Sequence, residues 1–309
     1  MQNKIDLAVG GQALIEGVMM RAPKAIGIAV RMANGKITTK HETFESITSR
    51  HRVLKLPIVR GIVNLIETMI IGMNALNFSA EKALDNGEEK EITPASKETT
   101  RFHTVGKGLF FAINILFSLV LAIALFKFIP LLIATWLEKF VPALVSSTIL
   151  FNLTDGVLRI AIFFLYIFLL SLIPAFHRVF EYHGAEHKAI FAYEQGLPLN
   201  YENTKKQSPR HPRCGTSFIM IVLVVSILVL SLVPRNPIFA LNLLARVSVL
   251  PLIAGLSYEV LKWTARHQNH PLLKILTYPG IVTQYITTKE PDEKQIEVAI
   301  AALETAVKQ

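Results

Sequence analysis

The pattern of apolar and polar positions divides the chain into a mixed N-terminal part and a strongly apolar remainder. Four stretches, residues 107–129, 157–176, 217–234 and 238–261, carry almost no charged side chains. Each is close to the length of about 20 residues that an α-helix needs to cross the hydrocarbon core of a bilayer. The pattern therefore predicts four transmembrane helices, with four buried helices of a soluble protein as the alternative.

The first 105 residues show the shorter periods of a small mixed domain. Apolar side chains alternate with small or polar ones from residue 26 to residue 32, and Asn34-Gly35 then predicts a type I′ turn between two strands. From residue 58 to residue 73, apolar residues recur at helical spacing. We expect an amphipathic helix there, lying in the membrane interface or packed on the β element. Residues 84–101 are predicted to be a solvated linker.

These patterns together predict an α+β membrane protein. Its expected parts are a cytoplasmic N-terminal domain with the β element and the interfacial helix (residues 1–105), a transmembrane region of four helices (106–262) and a cytoplasmic tail (263–309). The tail is expected to contain a helix, because apolar residues recur on one face after Pro291.

Composition and charge agree with that class. Of the 309 residues, 51% are hydrophobic and 18% are charged, and the formal net charge is +9. Of the 32 Lys and Arg residues, 15 lie up to residue 107, six lie in 177–215 and six lie from residue 262 onward. Because such residues accumulate in loops that stay in the cytoplasm, both termini and the loop 177–216 are predicted to be cytoplasmic. The lipid bilayer is then the expected partner, and no nucleic acid is needed to explain the charge.

The segment EYHGAEHK, residues 181–188, carries the clearest chemical pattern. On a helix, His183, Glu186 and His187 share one face, so two imidazoles could hold a metal ion while the carboxylate takes a proton from water. The spacing H-x-x-E-H is that of inverted zinc peptidases. Gly184 lies inside the pattern and disfavours a regular helix.

Further candidate ligands lie elsewhere along the chain. In HPRCGTS, residues 211–217, His211 and Cys214 have the spacing of a metal-chelating turn, and they precede the third predicted span. Glu259, at the edge of the fourth predicted span, could supply a carboxylate ligand. The alternatives are a loop histidine, an inert thiol and an interfacial glutamate. Because Cys214 is the single cysteine, no intrachain disulfide can form.

Several charged residues lie in apolar surroundings. Arg21 and Arg60 are candidates to steady an anionic substrate group, and the alternative is that they form ion pairs, such as Arg60 with Glu67. Arg246 lies inside the fourth predicted span, so we expect it to face the helix bundle and to find a partner. Lys127 and Arg159 lie near the ends of the first two predicted spans, where they could extend to the interface.

Four motifs together resemble one known family. GGQALIEGVMMRAP, PIVRG, EYHGAEHK and HPRCGTSF occur in the order found in the YqhQ family of bacterial membrane proteins, domain of unknown function 1385. The resemblance covers nearly the whole chain. It implies a metal-dependent enzyme of the bacterial cell membrane, and it draws attention to the candidate residues His183, Glu186, His187, His211 and Cys214.

The leading hypothesis from the sequence is a metal-dependent hydrolase at the cytoplasmic membrane interface. A divalent metal, zinc being the expected one, would be bound by His183 and His187 together with His211 or Cys214, and Glu186 would be the general base. A lipid head group or a membrane-bound precursor would suit the location. The alternatives are a scaffold in which a structural metal helps to recruit a protein partner, and a transporter that uses Arg246.

Overall fold

A computed structural model of the chain describes residues 9–49, 51, 53–85, 113–212, 214–266 and 271–308. The strands are β1 (Gly10–Leu14), β2 (Gly17–Arg21), β3 (Ala25–Arg31) and β4 (Ile37–Thr43). Two 3-10 turns follow, Ile47–Ser49 and Val53–Lys55, and then α1 (Val59–Ala83). The later helices are α2 (Ile113–Leu137), α3 (Pro142–Ser146), α4 (Thr148–Ser171), α5 (Pro174–Glu194), α6 (Tyr201–Lys205), α7 (Gly215–Ser231), α8 (Phe239–Ser248), α9 (Leu250–Arg266), α10 (Pro271–Thr287) and α11 (Glu293–Val307).

The chain forms two compact units. Among the described residues, the first unit comprises 9–85, 164–225 and 250–308, and the second comprises 113–163 and 226–249.

The four strands form one antiparallel meander in the first unit. The predicted β element is confirmed as β3 and β4, whereas β1 and β2 were not predicted. The predicted type I′ turn is wrong, because that turn requires positive φ at both central residues and only Gly35 has it. The Asn34 side chain instead accepts a hydrogen bond from the Lys36 N–H, which stabilises a longer loop.

The sheet is covered by helices on both faces. Because successive side chains point to opposite faces, neighbouring residues of one strand enter different cores. One face packs against α5 and α11 and contributes Val18 and Met20 to that core. The other face packs against α1, where Met19 and Ile28 meet Ala75. The predicted apolar face of the tail helix is confirmed, because Ile296, Ile300, Leu303 and Val307 all pack in the first of these cores.

Four helices of the described residues are long and apolar enough to cross a membrane: Val59–Ala83, Ile113–Leu137, Thr148–Ser171 and Phe239–Thr264, the last comprising α8 and most of α9. The chain is therefore an α+β membrane protein, as its sequence predicts. The correspondence differs at two helices. The third predicted span is the shorter apolar helix α7, and the helix predicted to be interfacial, α1, is itself long and apolar enough to span.

Some predicted boundaries differ from the observed ones. The predicted span 157–176 runs past the end of α4 at Ser171, and Pro174 already begins α5. The connection between the first two predicted spans, residues 130–156, is largely helical, because it contains the end of α2, all of α3 and the start of α4. Residues 107–112 of the first predicted span and residues 86–101 of the predicted linker lie outside the described residues.

Charged side chains are buried together in the second unit. Arg159 and Lys127, expected to extend to an interface, are buried. One carboxylate oxygen of Asp155 accepts hydrogen bonds from Arg159 at 2.5 Å and from Arg246 at 2.9 Å. The predicted partner of Arg246 therefore exists, and the Asn242 side chain also accepts a hydrogen bond from Arg246 over 3.4 Å. Because ion pairing is stronger in an apolar medium than in water, this cluster can remain charged away from solvent.

Candidate metal centre

Helix α5 brings the H-x-x-E-H residues onto one side of a regular helix. Gly184 is buried and does not interrupt it. A Cβ at this glycine would overlap the carbonyl oxygen of Lys289, which belongs to the chain segment that crosses α5. The same segment is fixed to the helix because the Lys289 N–H donates to the Phe180 carbonyl over 2.9 Å. The glycine inside the motif therefore permits the close crossing of the two segments.

The His183 ring is oriented by the end of α10. Its Nδ1 lies 2.7 Å from the carbonyl oxygen of Thr287. Because a carbonyl can only accept, Nδ1 carries the ring proton and Nε2 is left with a lone pair. That lone pair faces the sulfur of Cys214, with 3.0 Å between Nε2 and Sγ. In the absence of a metal, the thiol donates to the imidazole.

The His187 ring is held in the same way by another carbonyl. Its Nδ1 lies 2.7 Å from the Pro209 oxygen, so the proton again sits on Nδ1. Its Nε2 is buried and has no hydrogen-bond partner among the residues that the structure describes. Burial also lowers the pKa of His187 well below the usual histidine range, which keeps the ring neutral. A neutral imidazole with one nitrogen fixed and the other unpartnered is suited to bind a cation.

Cys214 completes the group at the start of α7. Its sulfur accepts hydrogen bonds from the Thr216 hydroxyl at 3.2 Å and from the Thr216 N–H at 3.4 Å. Burial raises the pKa of the thiol. The ligand atoms of His183, His187 and Cys214 all lie within 4.8 Å of one another, and they form the group that could hold a metal ion in the described part of the chain.

His211 lies next to this group but outside it. Its ring faces Glu194, with 3.3 Å between Nε2 and the carboxylate, and burial lowers its pKa to about 4. Its backbone is bound on both sides by the buried amide of Gln284, which accepts from the His211 N–H at 2.8 Å and donates to the His211 carbonyl at 2.9 Å. This pair of hydrogen bonds holds the loop that carries Cys214.

Glu186 is buried beside the three candidate ligands. A Cβ on Gly11 of β1 would lie 2.8 Å from the Glu186 side chain, so the carboxyl group packs directly against that strand. Burial raises the pKa of Glu186 to about 8, against the lowering effects of His183 and of the Gly11 N–H. Gly11, which has no side chain, therefore lets the strand contact this carboxyl group.

The remaining candidates form ion pairs away from the group. Arg60 binds Glu259 through two hydrogen bonds, so neither is joined to the three candidate ligands. The alternative pairing of Arg60 with Glu67 is not formed. Glu67 instead lies 3.9 Å from Arg21.

Sequence reasoning missed the groups that position the donors. Three of them act through contacts distant in sequence: the Thr287 carbonyl, the Pro209 carbonyl and the Gln284 amide. A backbone carbonyl has no residue-type signature, and Gln284 lies in an unremarkable helix. No signal in the sequence identifies these contacts.

Within the described residues, the apolar helices and the antiparallel sheet define an α+β membrane protein with a buried candidate cation site. A family model described as "Protein of unknown function (DUF1385)" matches residues 56–309, and the chain belongs to that family. It is 36% identical over 305 residues to "Uncharacterized protein YqhQ" of Bacillus subtilis (strain 168), with 97% of this chain and 92% of that protein covered. No solved structure matches the chain. The resemblance inferred from the four motifs is thus confirmed.

Proposed function

We propose that this membrane protein is a metal-dependent hydrolase that acts at the cytoplasmic interface, with His183, His187 and Cys214 as its ligands. One observation carries the proposal: within the described part of the chain, the buried Nε2 of His187 has no partner, while its Nδ1 is fixed by a carbonyl. A buried polar atom without a hydrogen bond destabilises a fold by about 1–3 kcal/mol, so its retention needs a reason. A bound cation supplies that reason.

The donor chemistry favours zinc. Two imidazoles and one thiolate match the N/S ligand sets of zinc sites, and three protein ligands leave one position for water or substrate. In both histidines the Nδ1–H donates a hydrogen bond to a backbone carbonyl. The second ring nitrogen of metal-bound histidines almost always makes such a bond. A bound zinc ion would act as a Lewis acid that polarises a substrate oxygen and favours deprotonation of water near neutral pH.

Glu186 is the proposed general base. It follows His183 by one helical turn and precedes His187 directly, so it lies beside the proposed ligands. Close packing against Gly11 of β1 holds the side chain in place. A positive charge among the three ligands would lower its pKa from the value of the metal-free protein, and the ionised group could then accept a proton from water.

A structural metal in a membrane scaffold is the second candidate. The observation in its favour is the depth of Glu186, which is only 4% exposed and packs against β1. In that case the carboxyl group would serve packing alone. The metal would then stabilise the loop at Cys214, and a partner would be recruited elsewhere on the protein.

Metal analysis of the purified full-length protein tests the shared part of both candidates. After expression with added zinc, we expect about one ion per chain. The variant His187→Ala should lose it. His177→Ala is the matched control, because His177 lies on the same helix but is exposed and pairs with Glu181. A metal-free wild-type protein, or equal metal content in both variants, would disprove the centre.

Glu186→Gln separates the two candidates. The amide keeps the size of the carboxyl group but cannot act as a base. If the protein is a hydrolase, the variant should therefore keep its metal but fail to complement a deletion strain. Complementation of a deletion strain is the measurement, with metal content as the control for folding. Full complementation by the metal-loaded variant would contradict catalysis and favour the scaffold.

A further inference from the structure

A cleft of about 480 Å³ lies in the first unit, between the first strands and the helices α1 and α9. Its polar lining consists of Gln12, Arg21, Asn64, Thr68 and Tyr258. Its apolar lining consists of Met19, Ala22, Pro23 and Phe44, and the backbone of Gly10 and Gly11 completes the wall. The cleft thus combines one cationic side chain with neutral hydrogen-bonding groups and an apolar side.

Arg21 is held in place from three directions. Its guanidinium lies 4.1 Å from the centroid of the Phe44 ring, and one amino group donates to the Thr68 hydroxyl over 3.1 Å. Glu67 stands 3.9 Å from the other amino group, a long ion pair whose carboxylate also accepts from the Ile47 N–H. A guanidinium has five N–H donors, so these contacts leave donors for a ligand.

A second donor faces the same cleft. The Tyr258 hydroxyl accepts a hydrogen bond from the Asn64 amide over 2.7 Å, so its own proton can be donated to a ligand. Arg60, the other candidate for anion binding, differs in this respect. Both carboxylate oxygens of Glu259 bind it, which satisfies its charge and its fork of donors.

We propose that the cleft binds the singly charged oxyanion group of an amphiphilic substrate, with Arg21 as the ionic contact. A phosphodiester or a carboxylate has this chemistry. Since Glu67 already offsets part of the Arg21 charge, a group with one negative charge fits better than a dianion. The inference rests on the proposed function, because it specifies the substrate class of the same enzyme.

The amphiphilic part of the proposal follows from the helices that line the cleft. Asn64 and Thr68 belong to α1, and Tyr258 lies within Phe239–Thr264; both are candidate spans. The exposed side of α1 carries Ile66, Met69 and Ile70. Acyl chains can lie against such a surface while the polar group enters the cleft.

The cleft is also adjacent to the proposed base. Gly11 lines it, and a Cβ on the same residue would lie 2.8 Å from the side chain of Glu186 on α5. One strand residue therefore contacts both the cleft and the carboxyl group. An oxyanion held at Arg21 would position the remainder of its molecule near this residue, which is the kind of remote contact that orients a reacting bond.

Calorimetric titration of the full-length protein in detergent tests the proposal. The probes are dihexanoyl phosphatidylglycerol, hexanoate, inorganic phosphate and dihexanoyl phosphatidylcholine, each below its micellar concentration. We expect the phosphatidylglycerol to bind, and the variant Arg21→Gln to weaken its Kd by at least about tenfold, as for a lost charged hydrogen bond. Arg21→Lys keeps the charge and should retain part of the affinity. Lys40→Gln is the matched control, because it removes an exposed charge on the far strand of the same sheet.

Equal affinities of wild type and a folded Arg21→Gln variant would overturn the proposal, as would equal binding of the zwitterionic phosphatidylcholine. If inorganic phosphate bound as tightly as the lipid, and through Arg21, the amphiphilic assignment would be overturned in favour of a soluble anion. The titration is repeated on His187→Ala. If the His187→Ala variant binds lipid but no metal, the cleft is intact, and lipid binding is independent of the metal centre.

Discussion

Two buried polar clusters in this protein differ in the side chains they contain and in how those side chains are paired. In the first unit, His187 presents a lone pair that meets no partner among the described residues, beside an imidazole and a thiol. In the second unit, Asp155 is bound by Arg159 and Arg246. The first cluster contains neutral donors that converge on one point. The second contains charges that bind each other.

The difference shows how burial alone can mislead a search for function. Charged residues inside an apolar helix bundle attract attention, yet the positive excess around Asp155 repels a metal cation. The histidines attract less attention in a charge count, but the buried Nε2 of His187 has no hydrogen-bond partner among the described residues. An unpartnered nitrogen beside a second imidazole and a thiol therefore points to a bound cation more directly than a buried ion pair does.

Among the substitutions that test this comparison, Asp155→Asn is expected to change the unfolding free energy most. Removing the carboxylate leaves two guanidinium groups buried without a counter-charge, which costs about 3–5 kcal/mol of unfolding free energy. Thermal melting in detergent should show a large loss of stability, while the folded fraction keeps its metal. Glu42→Gln is the control, because Glu42 pairs with Lys40 at the surface. Loss of metal from folded Asp155→Asn protein would mean that the two clusters are not independent.

A smaller effect is expected from Gly184→Ala. The added methyl group would overlap the Lys289 carbonyl, and overpacking of this kind costs about 1–3 kcal/mol. Melting curves provide the measurement. Gly215→Ala is the matched control, since a Cβ there meets no atom within 4 Å. If both variants melted at the wild-type temperature, the close crossing at α5 would be wrong.

The smallest effect is expected at the support of the metal loop. Gln284→Ala removes two hydrogen bonds to the His211 backbone without touching a proposed ligand. Loss of such outer contacts lowers metal affinity by about 10–100-fold. Competition with a zinc chelator measures this. Gln207→Ala is the control, because the Gln207 amide forms hydrogen bonds with Asn203 and Gln195 near the surface. Unchanged affinity in Gln284→Ala would show that the loop is held by other contacts.

Short-range patterns in the sequence predicted many of the helices and strands. The apolar stretches predicted membrane helices, and the alternation before Asn34 predicted strands, since each signal repeats within a few residues. The strands β1 and β2 were missed because they are five residues each and contain glycines, which favour turns over strands. The helix predicted to be interfacial was also ambiguous, because one of its faces packs on the sheet while the other is apolar and exposed.

The candidate site was predicted less completely. The residues His183, Glu186 and His187 follow from helical spacing alone. The prediction of Cys214 as a ligand required the two motifs to lie close together in the fold, and the sequence could only suggest this. Glu259 was assigned to the metal by analogy, but it binds Arg60, which lies 199 residues away in the chain. Such pairings depend on how helices pack, and no spacing within one segment encodes them.

The sequence by itself determined the apolar membrane helices, the strands around Asn34 and the kinds of ligand atoms available, because periodicity and side-chain chemistry are properties of short segments. Only the tertiary structure decided which donors converge. In the folded chain, His183 and His187 lie close to Cys214, and His211 lies outside this group. The Nε2 of His187 has no hydrogen-bond partner among the described residues. The physical reason is that ligand distances are set by the packing of α5, α7 and α10, which brings together residues separated by long stretches of chain.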